Sequence, residues 1–326
     1  MSYIYEALLR AERERERKQQ PFAPADQEAM PVLGEAPVTA PHELPLPTAG
    51  ELPLELPPEE EFAGIAAVPL FSWNIVRASF PALEKRGRGL EQFRGLRSHL
   101  YQARKEMPLK TLLVSSGMPS EGKSFVTANL AMSLARNNNN RILLIDGDLR
   151  RPSLNFLLGA PNEIGLADYL SGREPLHAVM QRCEPAADSG SGEAPSLANL
   201  TFIPTGTQHE NASELINSRR VEALLTSAAS SFDWILIDTP PALVFADAVD
   251  LARVADGVIL VARGAQTTFE VAQRAQASFA NAHILGIVLN DIKNPPRRES
   301  YYDYYYYGKK DKKTAAEAEN AQQEAE

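Results

Sequence analysis

TLLVSSGMPSEGKS, residues 111–124, is the stretch on which the reading of this chain turns. Its first six residues form an apolar run suited to a strand buried on both faces. Its last eight, Gly117–Ser124, fit the spacing G-x-x-x-x-G-K-S, and the spacing predicts a helix over 122–136. Two glycines, Gly117 and Gly122, let the backbone turn tightly and come close to a ligand. The loop N–H groups and the helix N-terminus then face an anion. Lys123 can reach the outer phosphates of a nucleotide, and Ser124 offers a hydroxyl to Mg²⁺. Ser120, Glu121 and Phe125 complete the expected nucleotide-binding stretch. The bland alternative is a glycine-rich turn carrying a surface lysine. A strand before the motif and a helix after it argue against that.

Apolar runs recur outward from this loop, at 141–146, 200–204, 234–238, 257–262 and 284–290. Helical stretches at 213–229 and 267–281 fall between them, and LEQFRGLRSHLYQARKEM (90–107) reads as an amphipathic helix. Alternation of this kind predicts an α/β fold with a mostly parallel sheet and helices on both faces. Two of the runs end in carboxylates: ILLIDGDLR places Asp146 and Asp148 at a strand end, and WILIDTPP places Asp238 at another. Ligands of open parallel sheets bind at the carboxyl ends of the strands. The three carboxylates are therefore expected beside the phosphate loop. Ser124, Asp146 and Asp238 are the candidate Mg²⁺ ligands. Lys123, Asp146, Asp148 and Asp238 form the candidate catalytic set, with Asp146 the first choice to accept a proton and Asp148 the second. Asn290, Asp291, Arg263 and Thr268 follow strand ends too, and each reads equally well as a turn residue.

Composition limits the rest. The formal net charge of −9 disfavours nucleic acid as a partner. A single cysteine, Cys183, excludes an internal disulfide, and the histidines (His42, His99, His177, His209, His283) have no metal-ligand spacing with it. Neither a membrane span nor a signal peptide is recognisable, so a cytoplasmic protein reaching a membrane through a partner is expected. Four regions are predicted. A short helix occupies 1–20. An acidic, Pro-rich disordered linker covers 21–77; its residues 21–76 hold 11 prolines and nine Asp or Glu, with no Lys or Arg. The α/β domain spans 78–294, and a flexible tail spans 295–326. Six of the ten tyrosines lie in the tail, at Tyr301, Tyr302, Tyr304, Tyr305, Tyr306 and Tyr307. The run lacks the alternation of a packed strand, and a neighbouring nucleotide site gives its hydroxyls a chemistry: they are the candidate phosphoacceptors.

GMPSEGKS, LLIDGDLR and ILIDTPP together resemble the three nucleotide motifs of the bacterial tyrosine kinases, a branch of the MinD/ParA-like P-loop NTPases. Asp146, Asp148 and Arg150 meet the second motif; Asp238, Thr239, Pro240 and Pro241 meet the third. EQFRGLR fits the family's E-x-x-R-x-x-R signature through Glu91, Arg94 and Arg97. The resemblance covers about 80–307 and implies ATP and Mg²⁺ as cofactors. It further implies phosphorylation of tail tyrosines, self-association into a ring through Glu91, Arg94 and Arg97, and a cognate phosphotyrosine phosphatase. It also implies a membrane-embedded activator of the chain-length-regulator type and a role in exopolysaccharide or capsule export. Taken alone, the two arginines read as solvated residues on a helix face. Two rivals stand beside the kinase. One is a MinD/ParA-type ATPase switch, whose early second lysine is replaced here by Met118. The other is a non-catalytic ATP-binding adaptor.

Overall fold

The computed structural model describes residues 64–136, 140–184, 197–206, 211–217 and 219–292. The chain divides into two units, Met1–Leu54 and Glu55–Glu326. The first unit lies outside the described residues, and so do the expected N-terminal helix and all six tail tyrosines.

Eight strands form one sheet among the described residues: β1 (Leu70–Phe71), β2 (Thr111–Ser116), β3 (Ile142–Asp146), β4 (Gln181–Cys183), β5 (Leu200–Ile203), β6 (Trp234–Asp238), β7 (Gly257–Arg263) and β8 (Ile284–Asn290). Their spatial order is β1-β4-β5-β3-β6-β2-β7-β8. All neighbours pair parallel except β4 with β5. Successive strand residues point to opposite faces, so an all-apolar strand feeds two cores at once. Leu113, Leu143, Ile145, Ile235 and Ile237 enter one core. Leu112, Val114, Ile142, Leu144 and Leu236 enter the other. This is why the central strands read as uninterrupted apolar runs and not as alternations.

Helices α1 (Arg88–Glu106) and α2 (Lys123–Ala135) pack on the second face through Phe93, Leu100, Leu130 and Leu134. Short helices α3 (Leu154–Leu158), α4 (Leu166–Leu170), α5 (Leu176–Val179) and α6 (Ala212–Ile216) connect the strands, followed by α7 (Arg219–Ala229), α8 (Asp247–Ala252) and α9 (Phe269–Ser278). The single helix expected over 213–229 is therefore two. Asn217 ends the first, and its side-chain amide donates to Asp250 Oδ2 at 3.1 Å. Thr268 caps α9, its hydroxyl accepting from the Val271 N–H at 3.3 Å.

Ordered structure also begins before the expected boundary at 78. Val68 and Trp73, inside the proline-rich stretch, are buried. The Trp73 indole N–H donates to Gln181 Oε1 at 3.0 Å, and its ring meets Phe202 edge-on at 6.0 Å. The proline content hid a two-residue strand that has a sheet edge to land on.

Candidate active site

The phosphate loop links β2 to α2 at the carboxyl end of the sheet. Gly122, the residue before α2, has φ +92°, and a Cβ there would lie 2.0 Å from Asn290 Nδ2. A side chain is thus excluded both by backbone handedness and by space. Asn290 Nδ2 donates to the Glu121 carbonyl at 3.0 Å. Arg263, at the end of β7, donates to the Ser120 carbonyl at 3.3 Å and pairs with Asp291 at 2.7 Å. Glu121 is itself buried; its carboxylate accepts the Met118 N–H at 2.8 Å and bonds the Thr267 hydroxyl. Glu121 therefore braces the loop from within, and its side chain is not offered to a nucleotide. Phe125 likewise turns its ring to Phe93 (centroids 6.2 Å apart) and leaves the loop only its backbone N–H.

Lys123 opens α2 with its ammonium among the carboxylates, 2.9 Å from Asp148 Oδ2 and 3.3 Å from Asp238 Oδ2. Burial pulls its pKa down, but Asp238 and Asp148 more than offset this, and the net shift is upward. The ammonium is therefore a permanent cation. Ser124 Oγ donates to Asp238 Oδ2 at 2.5 Å, and Thr127 Oγ1 donates to Asp238 Oδ1 at 3.2 Å. Burial drives the Asp238 pKa up, against the pull of Lys123 and Ser124.

Asp146 is fully buried at the end of β3. Its Oδ2 accepts the N–H groups of Ser153 and Leu154, each at 3.1 Å, at the start of α3; its Oδ1 accepts the Asp148 N–H at 3.3 Å. Burial, reinforced by the charge of Asp238, raises its pKa to about 7, although these N–H groups and Lys123 pull the other way. A Cβ at Gly147 would lie 2.7 Å from the Asp238 carbonyl, so only glycine lets the two strand ends lie this close. Arg150 reaches across to Asp247 (2.9 Å) and Ser213 (2.6 Å) and stacks on Phe245 at 4.4 Å. It thereby ties the loop after β3 to the loop after β6.

Lys123, Ser124, Asp146, Asp148 and Asp238 thus meet in one place, with Gly117, Ser120 and Gly122 shaping the loop. Glu91, Arg94 and Arg97 lie elsewhere, on α1. Arg94 pairs with Glu91 at 2.7 Å, and Arg97 donates to the Ser133 carbonyl at 2.5 Å. Thr127, Thr267 and Asp247 were not legible as site residues; Glu121 and Arg150 were named, but not the partners that hold them. Only Thr127 left a signal, one helical turn beyond Lys123 on the same face.

The donor set suits a magnesium nucleotide. Among the described residues no group of three or more His, Cys, Asp or Glu is placed to hold a metal. Mg²⁺ needs fewer: a hydroxyl, one or two carboxylates, phosphate oxygens and waters suffice. Ser124 Oγ beside Asp238 supplies that protein share.

Fold and site together define a P-loop NTPase. Residues 109–324 match the ParA family model, described as NUBPL iron-transfer P-loop NTPase. The chain is 31% identical over 205 residues to the tyrosine-protein kinase YwqD of Bacillus subtilis (strain 168), covering 62% of this chain and 81% of that protein. It is 32% identical over 259 residues to the tyrosine-protein kinase wzc of Salmonella typhimurium (strain LT2), covering 73% of this chain but 34% of that protein. The solved kinase domain of the Escherichia coli tyrosine kinase ETK superposes with TM-score 0.60 at 29% identity, over 68% of this chain and 83% of that one. The chain belongs to the bacterial tyrosine kinase family, within the ParA-type P-loop NTPases. Cysteine-ligated iron chemistry has little to work with here, because the sequence holds one cysteine.

Proposed function

We propose that this chain is an ATP-dependent protein-tyrosine kinase whose substrates are the tail tyrosines Tyr301, Tyr302, Tyr304, Tyr305, Tyr306 and Tyr307 of a neighbouring copy. The carrying observation is the position of Lys123, clamped between Asp148 and Asp238 at the phosphate loop with Asp146 buried beside them. Phosphoryl transfer asks the protein mainly for positioning and charge neutralisation. Lys123 exchanges a carboxylate for a phosphate oxygen when nucleotide enters. Ser124 and Asp238 would hold Mg²⁺, which neutralises charge developing on the phosphates. Asp146, whose oxygens hold three backbone N–H groups and keep about one lone pair free, is the proposed acceptor of the phenol proton. A tyrosine hydroxyl has a pKa near 10, so the proton must leave as the new O–P bond forms and the bond to the leaving nucleoside diphosphate breaks.

The exopolysaccharide or capsule export role, the membrane-embedded chain-length-regulator type activator, the ring and the phosphatase belong to the same proposal. So does recruitment from the cytoplasm to the inner face of the membrane. The relatives named as tyrosine kinases support it, and no described helix is long and apolar enough to cross a membrane. Glu91, Arg94 and Arg97, of which Arg94 is exposed and the other two half-buried, are proposed as the subunit contact. Incubation with Mg-ATP followed by anti-phosphotyrosine blotting tests the reading. Signal from the native chain and none from Lys123→Met supports it. ATP turnover without signal, with a candidate activator present, favours the switch.

A further inference from the structure

A second charged site lies about 20 Å from the phosphate loop, at the far end of the 13-residue α2. Arg94, Arg97, Ser98, Tyr101 and Arg136 line a cleft of about 310 Å³ there, a volume at the lower end for small-ligand sites. Three guanidinium groups thus line one cleft of a chain whose net charge is −9. Part of this arrangement is structural, tying the end of α2 to α1 and to the turn at 81–84. Arg97 covers the Ser133 carbonyl, while Arg136 donates to the carbonyls of Ala82 (2.8 Å) and Glu84 (3.1 Å). These bonds use one nitrogen of each, and a guanidinium carries five N–H donors. Among the described residues, Arg94 pairs with the half-buried Glu91 carboxylate and with no backbone carbonyl. The cleft also offers an aromatic wall. Tyr101 is fixed by an edge contact with Trp234 at 5.8 Å and by a hydrogen bond from Asn140.

The geometry points to a receptor for phosphotyrosine in this cleft, with the phosphorylated tail of a second copy as its occupant. Guanidinium forks bind phosphate oxygens in pairs, and three of them suit a dianion better than a single carboxylate. Tyr101 gives the phenyl ring of the ligand an apolar wall. The tail carries six tyrosines within seven residues, so neighbouring phosphates can engage neighbouring arginines. The inference rests on the proposed kinase activity only for the source of those phosphates. Its consequence is regulatory: a phosphorylated tail seated on Arg94 and Arg97 competes with any subunit contact that uses them.

The test uses the full chain as Lys123→Met, which keeps its own tail unmodified, and synthetic peptides of residues 299–309 read by fluorescence anisotropy. The peptide phosphorylated at Tyr304 and Tyr306 is expected to bind at least about tenfold more tightly than the unmodified one. Arg94→Gln and Arg136→Gln are each expected to weaken it by about tenfold, more so at low salt. Arg97→Lys keeps a donor for Ser133 but loses the fork, and it should weaken binding without changing the melting temperature. Equal binding of both peptides, or no change in the arginine variants, overturns the inference. So does equally tight binding of an acidic peptide of residues 55–62. Phosphopeptide binding in a chain that proves to lack kinase activity would sink the proposed function and leave this site standing; kinase activity without binding does the reverse.

Discussion

Asp146 and Asp238 stand directly opposite one another as register partners on β3 and β6, and both are fully buried. Parallel pairing of two apolar strands brings two carboxylates to one spot out of water, where the Lys123 ammonium pulls the pKa of each down against burial.

The first consequence is a pH dependence of stability. Asp146 keeps its proton in the folded chain up to about pH 7, whereas an unfolded aspartate releases it near 3.8. Between those values the folded state binds more protons, so stability without nucleotide falls as pH rises and levels off above about pH 7. Urea unfolding across this range measures the slope, and Asp146→Asn is expected to flatten it. A slope unchanged in Asp146→Asn would remove Asp146 as its source.

The same titration governs catalysis. The ionised form accepts the phenol proton, so kcat/KM should rise as pH passes about 7. Asp146→Asn should lower kcat by at least about 10²-fold while leaving nucleotide binding within a few fold. A loss confined to KM would instead mark Asp146 as a binding group.

Lys123→Met should abolish phosphoryl transfer and also weaken the fold. It strands Asp148 and Asp238 without their cation, and breaking a buried pair of this kind costs about 3–5 kcal/mol where the carboxylates stay ionised. Burial already raises the Asp238 pKa, so lowering the pH lets it protonate and the stability deficit against the native chain should shrink in acid. Thermal melts at two pH values read this directly.

Much of this was legible in the sequence, for a physical reason. Strands buried on both faces must be largely apolar, so β2, β3 and β6 show themselves, and the aspartates that end β3 and β6 fall at the ligand end of the sheet by topology alone. What stayed hidden depends on contacts between distant segments. Glu121 looked like a loop residue facing the ligand, yet it is the internal brace between Met118 and Thr267. Asn290 could have been any turn residue until the fold set it against Gly122. The strands β1 and β4 are too short to carry a pattern, and Trp73 finds its partners Gln181 and Phe202 only across the sheet.

Gly122→Ala tests that hidden packing. Its φ of +92° costs an L-residue about 1–2 kcal/mol, and the new methyl meets Asn290. Nucleotide affinity should fall markedly. Adding Asn290→Ala should relieve the clash but not the backbone strain, giving partial recovery in a double-mutant cycle. Full recovery would mean that the glycine serves space alone.

The most direct test of the whole account is peptide-mapped mass spectrometry of the full chain after incubation with Mg-ATP and the cytoplasmic part of a candidate membrane activator. The account predicts phosphate on several tyrosines between Tyr301 and Tyr307 in the native chain and on none in Lys123→Met. Steady ATP hydrolysis with every one of those tyrosines unmodified would contradict it.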